Sequence, residues 1–179
     1  MDSVRGGRGR LGTNARNKGE YMAPDDHMLL THLLFSNAVD YWHDVDHNDG
    51  MNARDFYVED ATFFNLRGRE AIHQFYLWRK ERGARTVRDV MSNFRARLEG
   101  DGTAHTECVM LLYAADGEPV LPSAPPIQIA DQIDELVLCD DGRWRFRARR
   151  FVNIFKGDIP TTVPPPEWYA RYNPVPADG

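Results

Sequence analysis

Cysteine is scarce in this chain, with two residues, Cys108 and Cys139, among 179. They are not spaced as a zinc or redox pair, and two thiols make no disulfide framework, so both are expected as reduced core thiols. Long apolar runs are also missing. No stretch approaches the roughly 18 consecutive apolar residues that a membrane helix needs, and the N-terminus carries charge without the apolar core of a signal peptide. A soluble, cytoplasmic protein without a membrane partner is expected. Positive charge is not in excess either: the net charge is −5, from 22 Lys and Arg against 27 Asp and Glu. With no basic stripe interleaved with aromatics, the balance argues against nucleic acid as a partner. No phosphate-cradling glycine loop, nucleophile elbow or zinc-protease helix occurs, so no nucleotide is expected.

What is present suits one domain with a real core: 42% of the residues are hydrophobic. The first twenty residues, "MDSVRGGRGRLGTNARNKGE", lack hydrophobic periodicity and cannot offset the entropy of ordering. Residues 1–24 are therefore expected to form a disordered arm, with Met22 a candidate second start. Residues 25–158 hold the folded domain. In residues 159–179 six prolines predict an extended tail, with Trp168 and Tyr169 available to pin it.

Within the domain, Leu30, Leu33, Leu34, Ala38, Tyr41 and Val45 recur at helical spacing from Asp25 to about His47, with Asp25 or Asp26 as N-cap. "NARDFYVED" reads as a short second helix and "ATFFNL" as a first strand. "GREAIHQFYLWRKERG" reads as a third, amphipathic helix with Ile72, Phe75 and Tyr76 on one side. Four strand-like stretches separated by Gly/Asp turns follow, the pattern of an antiparallel meander. "EPVLPSAPPI", with four prolines, is a loop between the second and third of them, expected at the rim of any cavity. Helices first and a meander after them predict an α+β domain with helices packed on one face of a bent sheet.

Five stretches carry a family resemblance in their order and spacing: "DYWHDVDHNDG", "FYVEDATFF", "GREAI", "RTVRDVMSN" and "DDGRWRFRARR". Over about residues 28 to 155 the chain resembles the SnoaL-like branch of the nuclear transport factor 2-like superfamily, with its polyketide cyclases and scytalone and bile acid dehydratases. The resemblance implies a conical barrel of a bent, mostly antiparallel sheet with three N-terminal helices enclosing a pocket, and cofactor-free chemistry. It also implies a homotrimer or homodimer, with the proline-rich tail available to cross to a neighbour. In the family's dehydratases a Tyr and an Asp five residues apart on the first helix meet a His from the meander. Tyr41 and Asp46 match the first two positions, while the His position falls on Asp89, so the usual Asp/His dyad is absent.

Helical projection at about 100° per residue sets Asp46 on the stripe of Phe35, Val39 and Trp42, and His43, His47, Asp40 and Asp44 on the other side. His43 and His47, four apart, could share a metal only with a third ligand and a supporting shell, so a solvated face is the plainer reading and no metal is expected. Asp46 on an apolar stripe needs a hydrogen-bonding partner or a function as general acid or base. Tyr41 is either a core aromatic or, as the resemblance implies, a phenol that polarises a carbonyl or positions water. Strand alternation puts Val87, Asp89 and Met91 on one face. Asp89 is then either opposed to Asp46, which raises one pKa, or in a structural ion pair with an arginine such as Arg149. Alternation also groups Arg149 with Phe151 and Asn153, and the resemblance implies that this end of the strand joins the pocket wall, making Arg149 a candidate for an anionic or phenolic group. His73 and His105 are single candidates for the missing imidazole. Trp42, Phe63, Phe64, Met91, Leu111 and Tyr113 supply the aromatic and soft residues to line a cone.

The expected activity is a cofactor-independent lyase or isomerase acting on an aromatic, polycyclic or polyketide-like molecule. Its catalytic residues would be Tyr41, Asp46 and Asp89, and its substrate-binding residues Trp42, Phe64, Met91, Tyr113 and Arg149. The alternative is a non-catalytic ligand-binding cone or a scaffold resembling the small subunit of ring-hydroxylating dioxygenases. Apolar stretches such as "VMLLY" and "ELVLC" supply both faces of the sheet, which favours an oligomer.

Overall fold

The computed structural model describes residues 23–100 and 102–173, so the arm predicted for residues 1–24 lies almost wholly outside the described residues. Helix α1 runs Pro24–His47. Its first turn carries Pro24, whose missing N–H costs nothing there, and Asp25 and Asp26, whose charges suit the positive end of the helix dipole. Neither aspartate is the N-cap; Ala23 holds that position without a side-chain bond. Leu30, Leu34, Ala38, Tyr41, Trp42 and Val45 form the buried stripe.

The second predicted helix shrinks to one 3-10 turn, Ala53–Phe56, and strand β1 begins earlier than predicted, at Tyr57–Phe63. Tyr57 is the reason: it pairs with Phe146 and is fully buried, so tertiary pairing overrides local helical tendency. Strand β2, Leu66–Arg67, and helix α2, Arg69–Glu81, follow. The meander is β3 (Arg85–Glu99), β4 (Thr103–Asp116), β5 (Gln128–Leu138) and β6 (Trp144–Lys156). All three of its pairings are antiparallel, as predicted. The sheet order is β2-β1-β6-β5-β4-β3, with β1 parallel to β6, so the six described strands make a mixed, open sheet. The helices lie against its concave side, which holds the core.

The C-terminal segment departs from the extended tail predicted. Its prolines give way to a short helix α3, Pro166–Tyr172, with two prolines ahead of its first turn and Trp168 buried in the core. Asn173 fastens it by accepting the Arg67 N–H at 2.7 Å and donating to the Asn65 carbonyl at 2.8 Å.

A β-bulge in β6 corrects the predicted strand faces. Leu136 pairs with Phe146 and Glu135 with Ala148, leaving Arg147 as the extra residue. Phe146 and Arg149, which simple alternation puts on opposite faces, both point inward and are fully or almost fully buried. Arg149 keeps the face that alternation shares with the cavity-lining Phe151 and Asn153, but it is buried against Asp134 and is not itself in the cavity wall. Its Nε and one terminal nitrogen each donate to the Asp134 carboxylate at 2.8 Å. The guanidinium carbon lies 4.4 Å from the Tyr41 ring centroid and 3.9 Å from that of Phe146. Asp134 also accepts from Gln132 at 2.9 Å, and Gln132 accepts the Trp42 indole N–H at 3.0 Å.

Removing one member of such a buried pair strands the other charge. Asp134→Leu should cost about 3–5 kcal/mol in urea unfolding, whereas the double variant Arg149→Met/Asp134→Leu should return to within about 2 kcal/mol of the parent. A single variant as stable as the parent would show that the pair does not organise the core.

Candidate active site

Between the concave sheet, α2 and the C-terminal segment lies a cavity of about 300 Å³. Trp42, Phe63, Phe75, Tyr76, Met110 and Phe151 give it an aromatic and apolar body. Its polar groups are Asp89, Arg79, Arg85, Gln128, Asn153 and Lys156. Thr161 to Pro164 and Tyr169 close one side, held there by the Arg85 guanidinium on the Pro160 carbonyl at 2.9 Å. Only Ile127 of the proline-rich β4–β5 stretch reaches the wall.

Asp89 is where the sequence leads to, on the inward face of β3 and in the cavity wall. Its backbone N–H donates to both oxygens of Asp46, at 3.2 and 3.1 Å, and the two carboxyl groups are within hydrogen-bonding reach of each other. Asp46 itself is half-buried and does not line the cavity. Burial, then the negative charge of Asp46, pushes the Asp89 pKa up to about 8 from an ordinary 3.8. Burial also raises Asp46, but the Asp89 N–H and the nearby Arg88 work against the rise. At neutral pH the pair holds one proton, mainly on Asp89, while Asp46 carries the charge. The alternative of an Asp89–Arg149 ion pair is excluded, since Arg149 is engaged by Asp134.

Tyr41 is fully buried and does not reach the cavity wall; Tyr76, which the sequence shows only as an apolar-face residue, does. The two hydroxyls are 2.5 Å apart, and Tyr57 donates to the Tyr41 oxygen at 3.1 Å. Burial raises the pKa of all three phenols, so each stays a neutral donor. Gly50 allows this placement: a Cβ on it would fall 2.3 Å from Tyr76 Cδ1, and its φ of +73° suits only glycine well. The turn that holds Gly50 is fixed by Asp44, whose carboxylate accepts from the Asn48 side chain and from both nitrogens of Asn52 at 2.7 to 2.9 Å. Asp44, predicted on the wet face, is therefore buried, while Asp40, His43 and His47 are exposed.

The other expected lining residues divide. Trp42 and Phe63 line the cavity, and Phe64 does so from an exposed turn with a φ of 56°. Met91 points inward but packs against the core away from the cavity wall, because the bulge after Ser92 turns that end of β3 aside. Leu111 and Tyr113 face outward, since Met110 and Leu112 take the inward positions of β4. Neither His73 nor His105 reaches the cavity; His105 pairs with Glu99 at 3.2 Å on the sheet's outer side. Cys108 is a buried free thiol, but Cys139 is only partly covered. The missed residues, Tyr76 and Arg79, carry a local signal: with Ile72 they follow one α2 face at spacings of four and three. Among the described residues no group of three or more His, Cys, Asp or Glu is placed to hold a metal ion, and no helix is long and apolar enough to cross a membrane.

An open α+β cone with an aromatic cavity and a carboxyl pair in its wall defines a domain built around a small-molecule pocket. The SnoaL-like domain family model matches residues 37–150, and the chain belongs to that family. Solved structures share the fold. A protein from Novosphingobium aromaticivorans provisionally named a scytalone dehydratase superposes with a TM-score of 0.66 at 18% identity, covering 78% of this chain and 94% of its own. Aln2 from a Streptomyces species gives 0.61 at 19% identity over 75% and 94%. ActVI-ORFA from Streptomyces coelicolor gives 0.55 at 19% over 70% and 95%. Comparison with curated protein sequences finds no match.

The raised Asp89 pKa has a signature in folding. A carboxyl that prefers to be neutral in the fold contributes fully below the unfolded-state value and loses that contribution as pH rises towards about 8. Denaturant midpoints measured across this window should fall with pH for the parent and stay flatter for Asp89→Asn. Parallel profiles would place the Asp89 proton elsewhere.

Proposed function

We propose that the protein is a cofactor-independent lyase or isomerase that moves protons on an aromatic, polycyclic or polyketide-like small molecule, with elimination of water as its reaction. The observation that carries this reading is Asp89 in the wall of an aromatic cavity, with its backbone N–H on the Asp46 carboxylate and the two carboxyl groups side by side. In the dehydration of a β-hydroxy ketone, the Asp89 carboxyl, protonated at the start, gives its proton to the departing hydroxyl through one oxygen while its other oxygen takes the proton from the carbon beside the carbonyl. The Tyr76 phenol, backed by Tyr41 and Tyr57, donates to the carbonyl oxygen as negative charge develops there. The hydroxyl leaves as water and Asp89 ends protonated, as it began, with the Asp46 charge beside it keeping the proton in place. Asp89 is the reacting group, Asp46 its charge partner, and Tyr41 a positioning residue rather than the phenol that meets substrate. The name of one solved relative of the fold, a provisional scytalone dehydratase, fits this class of chemistry.

The test uses a model β-hydroxy ketone, 3-hydroxy-1-tetralone, whose dehydration gives fluorescent 1-naphthol. Asp89→Asn should lower kcat about 100-fold or more, and parent activity should fall as pH rises through about 8. Asp46→Asn should lose activity with no loss of thermal stability, because the amide oxygen still accepts the Asp89 N–H. Equal rates from the parent and Asp89→Asn, or none above buffer, would sink the lyase reading in favour of a ligand-binding cone.

We also propose that the sheet's outer face pairs with a second copy. Val90, Val152 and Phe155 are 46%, 41% and 65% exposed there. Sizing at micromolar concentration should give a dimer or trimer, and Val152→Asp should shift it towards monomer. A parent that elutes as a monomer would overturn this.

A further inference from the structure

The cavity's charge does not balance. Among the groups in its wall are three cations, Arg79, Arg85 and Lys156, and one carboxyl, Asp89, which is held largely neutral. Arg85 is engaged, with Asp116 at 3.1 Å and the Pro160 carbonyl at 2.9 Å. Arg79 has no ion pair or hydrogen bond to any described carboxylate, and its guanidinium carbon lies 5.8 Å from the Tyr76 ring centroid. It is close enough to Asp89 and to Tyr76 to influence both electrostatically. A half-buried cation resting against an aromatic ring, with no hydrogen-bond partner for its guanidinium among the described residues and in the same cavity wall as Asp89, is a site waiting for an anion.

On this ground we propose that Arg79 forms the anchor for a carboxylate on the substrate, so that the molecule handled is an aromatic or polycyclic acid. The proposal rests on the functional reading above for the word substrate, but its geometry does not depend on turnover. The planar guanidinium accepts a carboxylate through two parallel hydrogen bonds, a fit that a neutral carbonyl or hydroxyl cannot match. Trp42, Phe63, Phe75 and Phe151 would cover the ring system. Lys156, exposed at the end of β6 and without an ion pair among the described residues, adds positive potential at the mouth. The single negative charge of the Asp89–Asp46 pair sits mainly on Asp46, which does not line the cavity, and this limits repulsion of the incoming anion. An anchor on α2 beside Asp89 would also fix which carbon of the ligand meets the carboxyl pair.

The test is a binding measurement with two probes of one shape, 2-naphthoate and its neutral amide, 2-naphthamide, followed by calorimetry. The parent should bind 2-naphthoate about tenfold or more tightly than the amide. Arg79→Gln should abolish that preference while leaving amide affinity within about twofold, and Arg79→Lys should retain part of it. Asp89→Asn should keep the preference intact, so loss of the dehydratase reading through its own kinetic test leaves this result standing, and the reverse also holds. Thermal unfolding of each variant checks that the cavity persists. No binding of 2-naphthoate at about 1 mM, an amide bound as tightly as the acid, or a preference that survives Arg79→Gln would each overturn the proposal.

Discussion

The buried ion pair between Arg149 and Asp134 is the constraint around which the concave side is built. Two charges have left water, so each depends on the partners that meet it, and one buried terminal nitrogen of Arg149 still lacks a hydrogen-bond partner among the described residues. Asp134 receives Arg149, Gln132 and, at 3.4 Å, Thr106. Gln132 in turn orients Trp42, and the guanidinium lies over Tyr41 and Phe146. The first helix is thereby located against the sheet by polar contacts of definite geometry, where apolar packing alone would tolerate sliding. Arg149 reaches this position because of the single extra residue at Arg147.

From that fixed helix the site follows in order. Asp46 sits one turn beyond Trp42 and receives the backbone N–H of Asp89, which joins the end of α1 to β3. Next to it, the Asp44 carboxylate secures the turn at Asn48 to Asn52, and Gly50 in that turn admits the Tyr76 ring. The two neighbouring aspartates divide the work by environment. Asp44 is saturated by amide donors and serves the turn, whereas Asp46 shares its surroundings with a second carboxyl and gains a reason to exchange protons.

Much of this is legible from the residues. The long first helix, the third helix and the four-stranded meander follow from periodicity and turn residues, and Asp46 and Asp89 from a carboxylate on an apolar stripe and a register match. What escapes has physical causes. The bulge at Arg147 reverses strand alternation without a glycine to announce it, so Phe146 reads as facing away from the core, and Arg149 reads as a ligand contact because alternation gives its face but not its engagement by Asp134. Tyr113 is lost to the same period of two, one residue out of phase with Leu112. Tyr41 and Tyr76 exchange places because helical projection gives the face of a residue but not its depth. The helix at Trp168 is hidden by prolines that precede its first turn instead of preventing it.

The two halves of the cavity belong to different parts of the chain. The carboxyl pair is carried by α1 and β3, tied into the core, while the facing wall at Thr161 to Pro164 belongs to a late segment fastened mainly by Asn173, Trp168 and the Pro160 carbonyl. Such an arrangement separates reactivity from shape. Substitutions in the late segment can remodel which molecules fit without disturbing proton transfer, so one chemical engine could be inherited unchanged while its appetite diversifies.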